Sequence, residues 1–176
     1  MKLPRTIRLD PSDEFVFPVA AAPGEWAVSG AFRFWDADPA ALTGKERQAF
    51  RAGLLGISSF GWSTLIAVAE VTAEDVEQAT SALALQFVTH LGAPDEVVAR
   101  AAAEEEIAFA ASLCDHPVNT LIAVQRSSEG GEIRERFRTL KRKEDLHQTA
   151  RAFDIVADDD DEIAEHIDIS EMGRGK

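Results

Sequence analysis

Three adjacent glutamates, the only cysteine, an aspartate and a histidine fall within "AAAEEEIAFAASLCDHP", residues 101–117. Such a set could ligate a metal, or pair a thiolate with an imidazole or carboxylate base. Helical geometry argues against both. At about 100° per residue, Glu104, Glu105 and Glu106 point in three directions and do not converge on one ion. Cys114 follows Ile107 by two turns and shares a stripe with Ala103, Ile107 and Ala110. Small apolar neighbours raise a thiol pKa and leave it inert. His116 stands where Pro117 already ends the helix, and the Glu-x-x-His spacing of di-iron helices is missing, because Glu104 is followed three positions later by Ile107. The stretch is read as a packed helix with a charged belt. A metal held by Cys114 and His116 is kept as an alternative for elemental analysis; no metal ligand, cofactor or catalytic residue is assigned.

Other candidate chemistry is no stronger. His90 sits on an apolar stripe in the last turn of a helix, as a satisfied, half-buried histidine would. His147 and His166 have acidic neighbours, but no spacing links them. The aspartates at 158–161 are not a calcium loop: counted from Asp158, the sixth position is Ile163 where an EF-hand needs glycine. "GRGK" at the C-terminus lacks the strand before it and the helix after it that a phosphate loop requires, and "FGWST" is no serine elbow.

One segment stands against its background. "GEIRERFRTLKRK", residues 131–143, holds six basic and two acidic residues, a net of +4, in a chain of net charge −13. On a strand, Arg134, Arg136 and Arg138 share one face, and Ile133, Glu135 and Phe137 the other. Gly130 and Gly131 stand where a type I′ turn needs positive φ. The resulting hairpin, within 119–141, sets Glu129 opposite Glu132, Arg126 opposite Glu135, Gln125 opposite Arg136 and Val124 opposite Phe137. The Val124/Phe137 side goes to the core; the arginine side, with Ala123, Gln125 and Ser127, is open. Such a row is either an ordinary solvated sheet face or a docking surface for carboxylates, on a protein partner or in this chain's own acidic C-terminus. Lys45, Arg47 and Arg51 make a smaller basic group on the first helix.

The elements that must position these residues follow from pattern. Short β-prone runs lie at 5–9 and 14–17. "EWAVSGAFRFWD", residues 25–36, alternates with aromatics on both faces, as a central strand would. Thr43 and Glu46 form a capping-box pattern opening a helix to about Leu55, closed by Gly56. Residues 61–71 read as a buried strand. Thr72 and Asp75 form a second, weaker box, opening a helix striped by Val76, Ala79, Leu83, Phe87 and His90. Gly92 ends it, and Pro94 opens another helix to about Asp115, so the two form an αα-hairpin. Residues 145–156 are either a short helix or a last strand at "FDIV". The predicted architecture is one α+β domain over 1–156, with an antiparallel or mixed sheet of five to seven strands packed by the αα-hairpin and one shorter helix. An acidic tail, 157–176, follows.

Composition bounds the function. A net charge of −13 repels nucleic acid and anionic lipid unless a local basic patch overrides it. One cysteine forms no internal disulfide and fits a reducing compartment. No signal segment is read at the N-terminus, and the apolar runs are far shorter than the ~20 residues that span a bilayer. A cytoplasmic setting is therefore expected.

"LTGKERQAF", "SFGWSTL" and "EEEIAFAASLCDHP" together resemble a family of small uncharacterised alphaproteobacterial proteins, over residues 1 to about 155. The resemblance implies a bacterial, cytoplasmic protein and carries no functional residue. The expected function is a non-catalytic binding or accessory protein that acts through protein contacts and self-associates as a homo-oligomer, with Arg134, Arg136 and Arg138 as its docking surface. The alternative is a small-molecule binder or enzyme that clamps an anionic metabolite with the same arginines. The tail is further expected to lie across the arginine face and to be displaced by an acidic partner.

Overall fold

The computed structural model describes residues 1–142 and the strand at 153–156. The main sheet is antiparallel throughout. β1 (Lys2–Ile7) pairs with β5 (Leu65–Glu70), β5 with β6 (Leu121–Glu129) and β6 with β7 (Glu132–Arg142), while β8 (Phe153–Val156) lies on the far edge of β7. A second sheet holds three short strands, β2 (Ala27–Val28), β3 (Leu54–Gly56) and β4 (Trp62–Ser63). Among the described residues, four α-helices complete the α+β fold: α1 (Ser12–Val16), α2 (Gly44–Ala52), α3 (Ala73–Leu91) and α4 (Glu96–Ser112).

The strands are thus divided between two sheets rather than gathered into one. The cause is local to residues 25–36, expected as a central strand. Only Ala27 and Val28 are extended; Gly30 turns to φ 81°, and residues Ala31–Phe34 wind into a 3₁₀ turn. A side chain at position 30 has no room, since an added Cβ would stand 2.7 Å from Leu55 and 2.9 Å from Trp62. The alternating aromatics serve different neighbours instead. Phe32 meets Phe87 edge-on at 4.9 Å, Phe34 stacks on Trp62 at 5.3 Å, and Trp35 is exposed.

Other expectations shift for similar reasons. Residues 14–17, expected as a strand, lie largely in α1, whose entry is fixed by the Asp10 carboxylate accepting from the Ser12 amide at 2.8 Å. The helix expected to reach Leu55 ends at Ala52, and residues 54–56 become β3. Thr43 makes no side-chain cap bond, whereas the weaker Thr72/Asp75 pattern forms both bonds of a capping box. The strand expected over 61–71 is broken at Thr64 into β4 and β5.

The αα-hairpin forms as read. Gly92 closes α3 in the left-handed conformation (φ 68°), and Asp95, rather than Pro94, caps α4 by accepting from the Val98 amide at 2.8 Å. Its buried stripes are Ala79, Leu83, Ala84 and Phe87 on α3 and Ala99, Ala103, Ile107 and Ala110 on α4. These residues join Phe17, Val28, Phe34, Phe50, Leu55 and Trp62 in one core. Cys114 lies just beyond the end of α4, in a second cluster with Ile66, Val68, Ile122 and Val124 from the sheet. Of the two readings for residues 145–156, the described part, 153–156, is a strand. The rest of that segment and the tail at 157–176 lie outside the described residues.

Candidate protein-docking site

The site is built by the β6–β7 hairpin. Gly130 (φ 60°) and Gly131 (φ 82°) make the tight turn, which pairs Glu129 with Glu132 and carries the register without slippage to Leu121 and Leu140. Pleating then separates the side chains of β7 by parity. Glu135, Phe137 and Thr139 turn toward α2 and α4, with Ile122, Val124 and Arg126 of β6 beside them. Arg134, Arg136 and Arg138 turn the other way, beside Ala123, Gln125 and Ser127.

The three arginines therefore share one face. Arg134 and Arg136 are exposed, and Arg138 is half-buried. Arg134 reaches back to Glu129 at 3.2 Å, an exposed pair of small energetic weight. Among the described residues, Arg136 and Arg138 have no ion-pair partner. The edge of the same strand is also open. β8 pairs only with residues 139–142 of β7, so among the described residues nothing pairs with the outer edge over 132–138. Because a two-residue turn makes Glu129/Glu132 a hydrogen-bonded pair, the backbone groups of Ile133, Glu135 and Phe137 point to that open edge.

The inner face holds a polar network that sequence reasoning did not single out. The Arg126 side chain is 0% exposed. Its Nε donates to Glu135 Oε1 at 2.8 Å, and its Nη1 donates to the carbonyl oxygens of Gly53 at 2.6 Å and Phe50 at 3.2 Å. Its Nη2 donates to the Ser29 carbonyl, and the Ser29 hydroxyl donates to Glu135. One guanidinium thus caps the end of α2 and ties it, with the loop after β2, to the sheet. Burial pulls the Arg126 pKa down from its usual value, against the attraction of Glu135, which raises it.

Glu106 of α4 also faces this network. Burial first, then the negative charges of Glu135 and Glu105, push its carboxyl up to about 7, with Arg126 opposing. The sequence carried a signal for both residues. Arg126 has the parity of Val124, and Glu106 lies three positions after Ala103 and four before Ala110, on the buried stripe.

Ser29, Glu135 and Arg126 resemble an activated hydroxyl with an anion-stabilising partner, but the geometry denies them a substrate. Ser29 is 1% and Arg126 2% exposed, and each polar group is satisfied by another. The network is structural. Cys114, likewise, is buried among apolar side chains, and burial pushes its thiol up to about 11. His116 lies instead at the wall of a cleft of about 370 Å³, between the end of α4 and β7, lined also by Ser112, Leu113, Glu135, Arg136 and Thr139. His90, expected half-buried, is exposed, with its ring stacked 4.9 Å from that of Phe60. Among the described residues no group of three metal-ligating side chains converges, and no helix is long and apolar enough to cross a membrane. His147, His166 and the aspartates at 158–161 lie outside the described residues.

Fold and site together define an α+β protein whose sheet seals an ion pair on one side and presents a cationic row on the other, along an edge left open among the described residues. The chain belongs to a family of unknown function, DUF6505, whose sequence model matches residues 1–157. Neither the curated proteins nor the solved structures gave a match.

Proposed function

We propose that this protein is a non-catalytic binding protein of the bacterial cytoplasm, which takes an acidic, extended segment of a protein partner along β7. The observation that carries this reading is a coincidence on one strand. Residues 132–138 present three arginines on one face and, on one edge, backbone groups that no strand pairs among the described residues. An added strand gains main-chain hydrogen bonds from the edge, while carboxylates at alternate positions meet the guanidiniums. Exposed ion pairs contribute only about 0.2–1 kcal/mol each, so the complex is salt-sensitive and exchanges readily. At physiological ionic strength the Debye length is about 8 Å, so the local row outweighs the distant negative charge of the body.

The test is a titration of the full chain with a short peptide of alternating aspartate and threonine, read by fluorescence anisotropy. The triple variant Arg134→Ala, Arg136→Ala, Arg138→Ala should lose at least about tenfold in affinity, about 1.4 kcal/mol. Equal binding by wild type and variant refutes the reading. A pull-down with the same pair of proteins then identifies the partner.

The cleft beside His116 favours a second reading, in which a small anion sits against His116 and Thr139, with Arg136 in the wall and its side chain turned to the opposite face of the sheet. Arg134 and Arg138 do not line that cleft, so a clamp of all three arginines is not supported. Shifts of the His116 resonances on adding small dianions, unaffected by Arg134→Ala, would favour this reading over the first.

A further inference from the structure

Resting on that docking reading, we propose that the resident occupant of the open β7 edge is the chain's own acidic segment, residues 157–162, continuing β8 as one strand. The register of β8 on β7 leads there. β8 pairs Val156 with Thr139, antiparallel, so the chain leaves Val156 at the first free position of the edge and heads along it. Continued in step, Ala157 stands opposite Arg138, Asp158 opposite Phe137, Asp159 opposite Arg136, Asp160 opposite Glu135, and Asp161 opposite Arg134.

Parity makes the match specific. Asp159 and Asp161 fall on the arginine face, each directly across from a guanidinium. They fall at non-hydrogen-bonded pairs, where side chains approach most closely. The hydrogen-bonded pairs would join Phe137, Glu135 and Ile133 to Asp158, Asp160 and Glu162, satisfying the free backbone groups. A one-residue slip would set Asp158 and Asp160 against the arginines instead, so the alternation is testable. Asp160 meets Glu135 on the inner face, but Glu135 is already engaged by Arg126 and Ser29. Arg134 exchanges one exposed partner, Glu129, for another.

Covering the edge also prevents chains from pairing edge to edge. The segment follows β8 without a linker, so its effective concentration at the edge is on the order of millimolar. An external acidic strand therefore binds only by displacing it, and the tail acts as a built-in competitor.

Two full-chain variants with the same change in charge separate register from general electrostatics. Asp159→Lys with Asp161→Lys alters the arginine face; Asp158→Lys with Asp160→Lys alters the inner face. Amide exchange is followed at Ile133, Glu135 and Phe137, whose N–H groups face the open edge, and the aspartate–threonine peptide is titrated against each protein. The first variant should lose protection at those three amides and bind the peptide at least about tenfold more tightly than wild type, while the second retains protection. Unprotected amides in the wild-type chain, or identical behaviour of the two variants, overturns the proposal. Removing the three arginines from the Asp159→Lys, Asp161→Lys chain, where the tail does not compete, keeps the two failures distinguishable: loss of peptide affinity there upholds the docking reading whatever the outcome for the tail, and unchanged affinity there refutes it.

Discussion

Replacing Arg126 by methionine is the sharpest test of what holds the fold together. Methionine keeps much of the side chain's length and apolar stem, so the change removes charge and hydrogen bonds more than volume. It leaves Glu135, 16% exposed, without its counter-ion, and leaves the carbonyls of Gly53, Phe50 and Ser29 without their donor. Removing one partner of a buried pair typically costs about 3–5 kcal/mol, against a total stability of about 5–15 kcal/mol. At about 2–4 °C per kcal/mol for a chain of this size, the midpoint should fall by about 6–20 °C. Urea unfolding followed by circular dichroism, with an unchanged slope, measures it; Arg136→Met on the open face, expected within about 0.5 kcal/mol, is the control. Adding Glu135→Leu to Arg126→Met should recover part of the loss, because an apolar pair removes the stranded carboxylate. Amides of α2 should lose protection first, since that helix end is what the guanidinium holds. A loss below about 1 kcal/mol, well outside the expected range, would show that Arg126 does not anchor α2 to the sheet.

Glu106 gives a pH signature. Its carboxyl is pushed up to about 7 in the folded chain from an ordinary 4.5, so between those values the folded state holds a proton that the unfolded state has released. Stability from this group is therefore highest below about pH 4.5, falls as pH rises to about 7 and is flat beyond. Glu106→Gln should remove that decline and be more stable than wild type by about 2 kcal/mol at pH 8, after allowance for the solvated part of the carboxyl; a difference between the two proteins that does not vary with pH refutes the assignment. For Cys114, whose thiol is pushed up to about 11, alkylation by iodoacetamide at pH 8 should require unfolding. Stoichiometric labelling of the native protein within minutes would show that the thiol is not buried.

What the sequence made legible was what local chemistry decides alone. The two-glycine turn fixed the hairpin register over all nine pairs, and the burial expected for Cys114 was right, although it lies beyond the end of α4 among sheet residues rather than on the stripe of Ala103, Ile107 and Ala110. The failures lie where tertiary contacts outvote pattern. Alternation at 25–36 was genuine, but Gly30 needed the left-handed region and close contact with Leu55 and Trp62, facts about residues far along the chain. The Thr43/Glu46 pattern was the better capping box by type, yet only Thr72/Asp75 formed one. Arg126 was missed for a different reason. Its parity put it inside, but a charge is expected inside only with a partner, and the carbonyls of α2 that receive it are about 75 residues away in sequence.

The buried pair bears on the exposed row through register. Shifting β7 by one residue against β6 would carry Phe137 and Glu135 to the open face and drive Arg134, Arg136 and Arg138 into the core. An apolar pair at 126 and 135 would resist such a slip only by the contacts it lost. The guanidinium–carboxylate pair resists it more steeply, because a misaligned strand leaves Arg126 buried without Glu135, in addition to the three cations that any slip drives inward. A buried ion pair adds little net stability compared with well-packed apolar residues, but its error is costly, which is how polar residues specify one alignment among several. The outward row of arginines depends on that alignment, and the position at which Val156 meets β7 is counted from the same strand. Arg126→Met with Glu135→Leu should therefore retain much of the stability while loosening register. Loss of acidic-peptide affinity in that double variant, with all three arginines still present, is the expected consequence; affinity equal to wild type would show that the turn alone sets the row.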